Sequence, residues 1–124
     1  MSDVHIAFLD KLPNGVIVQI NEHCPSEEDV RIASITGYNP HHYYCAYIAV
    51  PMDLDLDLYK PDVHGGITYG DDGYESKIPL SEHIKGYKVI GWDYAHGHDT
   101  IEEYNLDVVK KELFDALADI YGGE

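Results

Sequence analysis

Apolar positions along the chain follow two periodicities, and the sharper one lies near the C-terminus. Leu106, Val109, Leu113, Leu117 and Ile120 are spaced three, four, four and three residues apart, which places them on one stripe of a helix. Asn105 can cap its start and Gly122-Gly123 its end. Asp107 and Lys111 form an i,i+4 pair on the wet side. Such a stripe must lie on something apolar, and the rest of the pattern supplies a sheet. Tyr43 to Val50 is almost wholly apolar and aromatic, as a central strand would be. Val4–Leu9 and Val16–Ile20 flank Asn14-Gly15, a pair that readily takes the positive φ angles of a tight turn, so the chain is predicted to open on a hairpin.

Other segments are shorter. Ser26-Glu27-Glu28-Asp29 combines a capping serine with first-turn acids and predicts a helix, which Thr36-Gly37-Tyr38-Asn39-Pro40 would stop early. Asp53-Leu54-Asp55-Leu56-Asp57-Leu58 alternates strictly, so an extended backbone would turn three Leu one way and three Asp the other. A calcium loop starting at Asp53 would need Gly sixth and Glu twelfth. Those positions are Leu58 and His64, which leaves a solvated edge strand or an extended loop. Val63 to Tyr69 reads as a strand with a tight glycine pair, Asp71-Asp72-Gly73 as a turn, and Tyr87 to Tyr94 as another strand. The expected fold is α+β: one small domain over residues 1–124, an antiparallel or mixed β-sheet with the C-terminal helix packed on one face.

Charge narrows what such a domain can bind. The chain carries 23 acids against eight Lys and Arg, a net −15, and Arg31 is its one arginine. Direct nucleic-acid binding through a basic face is excluded on this count, and so is adsorption to anionic lipid. The first residues lack a secretory signal pattern and no apolar run reaches a membrane span, which points to the cytoplasm. Cys24 and Cys45 are read as free thiols acting as small core hydrophobes. Eleven tyrosines against two phenylalanines suit an interface or a ligand wall, since the ring gives contact area and the hydroxyl a polar tip.

Candidate chemistry gathers where histidines adjoin glycine. His64-Gly65-Gly66 is one cluster; Asp93, His96, His98 and Asp99 around Gly97 form another. Imidazole with carboxylate supplies proton transfer near neutral pH or ligands for a divalent ion. Convergence at one sheet end would build a site from His64, Gly65, Gly66, Asp93, His96 and Asp99, walled by Trp92 or Tyr94. His64, Asp93, His96 and His98 are the candidate metal ligands, although no standard zinc spacing is present. His41-His42, after Pro40, is expected on the surface. Asp53, Asp55, Asp57 and Tyr59 form a candidate partner-binding strip.

Two of these segments also resemble a family. Asp62 to Tyr69 (DVHGGITY) and Ile90 to Asp99 (IGWDYAHGHD) are similar to the "VHGGLT" and "GFDCAH-x-GD" motifs of a widespread group of small bacteriophage and prophage proteins. The likeness runs roughly from Tyr43 to Tyr121, and His64, Gly65, Gly66, Asp93, His96 and Asp99 match. Tyr94 stands where Cys is common and His98 where Gly is common. The resemblance implies a phage origin and a site, without a reaction. Three functions follow as expectations. The first is a phage accessory protein, acting on host machinery in counter-defence by binding a small polar or nucleotide-like ligand at the His/Asp site. The second is a non-enzymatic, acidic, Tyr-rich inhibitor that occupies a basic surface of a host defence effector such as a CRISPR protein. The third is a small metal-dependent hydrolase. The partner is then a host protein or a small polar ligand in the infected cell, with a second copy of the chain also a candidate.

Overall fold

The structure, a computed structural model, describes residues 3–13, 15–37, 42–54, 56–58, 61–71, 78, 86–95 and 101–121. Strand β1 (Asp3–Lys11) turns into β2 (Ile17–Cys24) as the expected hairpin. Gly15 takes φ +81°, and Leu12 N donates to Val16 O at 2.7 Å to close the turn. Helix α1 (Glu27–Thr36) begins after Ser26, whose carbonyl accepts from Val30 N, and stops at Gly37, where φ is +75°. Strands β3 (Tyr43–Pro51), β4 (Tyr69–Asp71) and β5 (Tyr87–Asp93) follow, then helix α2 (Leu106–Tyr121). Asn105 caps α2 through its Oδ1, which accepts from Val108 N at 3.1 Å.

All pairings are antiparallel and the sheet order is β1-β2-β3-β5-β4, so the apolar β3 is central as its composition predicts. Period-two alternation sorts the sheet into two faces. Val18, Ile20, Ala46, Ile48, Ile90 and Trp92 face α2 and pack on its Val109, Leu113, Ala116, Leu117 and Ile120. Phe114 of α2 meets Phe8 of β1 edge-on at 6.1 Å. Ile17, Cys45, Tyr47, Ala49 and Val89 occupy the other face with Ile78. Gln19 and Asn21 are fully buried on that face, where Gln19 Nε2 donates to Asn21 Oδ1 at 2.7 Å. Among the described residues, no helix is long and apolar enough to cross a membrane.

Two local readings change. Val63 to Tyr69 is not one strand, because Gly65 (φ +72°) and Gly66 (φ +80°) both take left-handed backbone and the ladder begins only at Tyr69. Of the two alternatives for the Asp-Leu repeat, the loop is the one found at Asp53, Leu54 and Leu56 to Leu58. Its alternation survives without strand pairing, since Leu54, Leu56 and Leu58 turn to the core while Asp53 and Asp57 stay exposed. His42, expected on the surface, is half-buried against Glu22. Cys45 is buried as predicted and Cys24 only partly so. Lys111 pairs forward with Asp115 at 2.8 Å. Asp72, Gly73, Gly122 and Gly123 lie outside the described residues.

Candidate functional site

Where β5 ends, alternation carries Trp92 and Tyr94 onto the α2 face and leaves Asp93 on the opposite one. Trp92 Nε1 donates to Tyr94 Oη at 3.0 Å, and Tyr94 Oη donates in turn to Glu112 Oε1 on α2. The second oxygen of Glu112 accepts from His64 N at 3.1 Å, so one carboxylate ties β5, α2 and the Val63–Gly66 turn together. Burial, and then the neighbouring Glu112, push the Tyr94 phenol well above its usual range, which keeps it a neutral donor.

Over this chain of hydrogen bonds stands a wall of rings. The His64 imidazole stacks on Tyr94, centroids 5.0 Å apart and 6° from parallel, and tilts against Tyr104 at 4.4 Å. Tyr94 and Tyr104 are themselves 5.3 Å apart. The cleft they line has a volume of about 340 Å³ and also takes in Asp62, Lys111 and Asp115. A flat group could lie against the rings while a donor on it reached Glu112.

His64 and Trp92 thus come together as expected, with different roles. Trp92 is 1% exposed and acts as buried support. Gly65 and Gly66 shape the turn. A Cβ on Gly66 would meet nothing within 4 Å, so its requirement is conformational and not one of close approach. Asp93 does not join His64. Its Oδ1 accepts from Ala95 N at 3.1 Å and its Oδ2 from Thr68 Oγ1 at 3.4 Å, on the far side of the sheet. There it faces the His23–Tyr43 stack, rings 4.6 Å apart. Burial lowers the His23 imidazole below its usual value while the charge of Asp93 opposes that shift. One ion cannot be shared by His64 and Asp93 through an intervening sheet, so the expected single site divides. The predicted residues His96, His98 and Asp99, and Asp55 and Tyr59 of the acidic strip, lie outside the described residues.

Glu112, Tyr104 and Lys111 were not foreseen. A signal did exist for Glu112, which falls three residues after Val109 and four before Ala116 and so borders the apolar stripe of α2. Comparison of the chain with protein-family models, curated proteins and solved structures finds no match.

Proposed function

We propose that the chain is a phage-encoded binding protein directed at host machinery, in the manner of a counter-defence factor. In this reading its cleft receives a flat cationic group, such as an arginine guanidinium on a basic protein surface. The observation that carries the reading is the His64–Tyr94–Tyr104 wall set against Glu112. Guanidinium stacks on aromatic faces and pairs with carboxylates through its planar fork. Among the described residues the cleft has three acids, Asp62, Glu112 and Asp115, and one lysine, Lys111, which is already paired with Asp115. A phosphate would therefore meet net negative charge, which disfavours the nucleotide-like ligand. Exposed Asp53 and Asp57, with the −15 of the whole chain, add long-range attraction to a basic partner. The phage setting rests on the motif resemblance.

A titration of isotope-labelled protein followed by NMR tests this. Arginine methyl ester is expected to shift resonances of His64, Tyr104 and Glu112, and AMP to shift them less. Glu112→Gln should weaken the ester by about tenfold or more, the worth of one hydrogen bond to a charged group. Glu27→Gln, exposed on α1, should change little. Tighter binding of AMP, or equal weakening by both substitutions, would refute the reading.

A further inference from the structure

The α2-facing side of the sheet carries a second polar cluster, across the strands from the cleft. In the β1–β2 register His5 stands directly opposite Glu22, and Cys24 lies two residues further along the same face. β3 continues the row, with Tyr44 opposite Glu22; His42, just ahead of that strand, reaches back to Glu22 and Cys24. His5 Nε2 is 2.8 Å from Glu22 Oε1. His42 Nε2 is 2.5 Å from Glu22 Oε2 and 3.7 Å from Cys24 Sγ. Donor atoms of His5, Glu22 and Cys24 all fall within 4.8 Å of one another.

We propose that His5, Glu22, Cys24 and His42 form a binding site for a divalent transition-metal ion of the zinc type. The spacing suits it. An ion with tetrahedral bonds of about 2.0–2.3 Å holds its donors about 3.3–3.7 Å apart; His42 already stands 3.7 Å from Cys24, and His5 and His42 would each draw back from Glu22 to admit the ion. The donor types suit it too, because two imidazoles and a thiolate prefer zinc to calcium or magnesium, and the carboxylate completes four ligands. Charge is balanced: one thiolate and one carboxylate neutralise a dication with both imidazoles neutral. Binding releases the thiol proton to solvent.

Access and rigidity are both provided. The His5 side chain is 55% exposed and His42 35%, which leaves a path for the ion. Three of the four ligands sit on paired strands, so their backbones are already fixed. Four protein donors leave no coordination position open for substrate, which makes the ion a structural clasp joining the edge strand β1 to β2 and β3. No short motif announces the set, since His5, Glu22-x-Cys24 and His42 meet only through the register.

Cobalt(II) binding to reduced, chelator-stripped protein tests the site, with far-ultraviolet circular dichroism to confirm that each variant is folded. Wild type should take one equivalent, with a thiolate-to-cobalt charge-transfer band and the intense visible bands of a four-coordinate ion. Zinc should displace it and raise the thermal midpoint. Cys24→Ser should abolish the charge-transfer band, and Cys45→Ser, on the other face, should leave it. His5→Gln and His42→Gln should each weaken binding by more than the roughly 10- to 100-fold typical of losing an outer-shell partner. Failure to bind would show an ion-pair cluster only. A charge-transfer band that survives Cys24→Ser, or affinity unchanged in both histidine variants, would place the metal elsewhere. Any of these results overturns the proposal.

Discussion

Gly91 shows how a single missing side chain can organise a sheet. It sits opposite Tyr47 in β3 and Tyr69 in β4, and the Tyr47 ring lies directly across it. A Cβ there would stand 2.6 Å from Tyr47 Cδ1 and 3.0 Å from the Ala46 carbonyl. The demand is steric, and it lets Tyr47 reach Tyr69 edge-on at 5.6 Å and 89°. Gly91→Ala is expected to cost about 1–3 kcal/mol, the range for overpacking a filled site. Urea unfolding followed by Trp92 fluorescence measures it. Because the closest contacts are to the Tyr47 ring, Tyr47→Val in the same chain should recover part of the loss. Costs that simply add in the double mutant would remove the contact as the explanation. Tyr94 makes a similar point by its length. A cysteine there could not bridge Trp92 and Glu112 as the phenol does.

Among the elements, the two helices differ in what holds them. Helix α2 presses Val109, Leu113 and Ile120 into the core, whereas α1 leaves Val30, Ile32 and Ile35 exposed, Ile35 by 79%. Leu113→Ala should therefore cost about 2–5 kcal/mol, and Ile35→Ser should stay within about 0.5 kcal/mol. Equal losses in thermal unfolding would mean that α1 is packed more firmly than its exposure indicates. The two were also legible by different signals, since α1 is announced by its capping serine and first-turn acids and not by a buried face. β2, β3, β5 and α2 each bury one face or nearly all of their surface, and burial writes a period into the chain. Val63 to Tyr69 looked like a strand because Ile67 and Thr68 favour one, yet two left-handed glycines outweigh them. At the site, His64 and Trp92 could be named from the sequence. Strict alternation from Trp92 to Tyr94 already implied that Asp93 faces away. Helical spacing sets Glu112 beside the α2 stripe, but its position against Tyr94 depends on how α2 crosses the sheet, which no local pattern records. The same holds for His5, Glu22, Cys24 and His42, gathered from three segments by register alone.

For the whole molecule, the −15 charge and the buried neutral acids act together on the alkaline side. Cys45 is pushed by burial, and further by Asp93, from 9.0 up to about 12. Burial likewise raises the phenols of Tyr47 and Tyr94 above their ordinary 10.0. Each group is raised in the folded state, so its contribution to stability is complete below the unfolded value and is lost as pH climbs through the window between the two. Cys45 should act first, from pH 9.0 towards about 12, with the tyrosines following above 10.0. One such group steepens the fall by at most about 1.4 kcal/mol per pH unit. New negative charge also enters a chain that already repels itself. Salt separates the two causes, since it screens repulsion between exposed charges and leaves the burial penalty of a thiolate largely intact. Urea midpoints measured across pH 7 to 11 should thus fall above about pH 9 in both low and high salt. Cys45→Ala should flatten the first part of that fall at either ionic strength. A decline that high salt erased, with Cys45→Ala matching wild type, would assign the alkaline limit to surface charge and acquit the buried thiol.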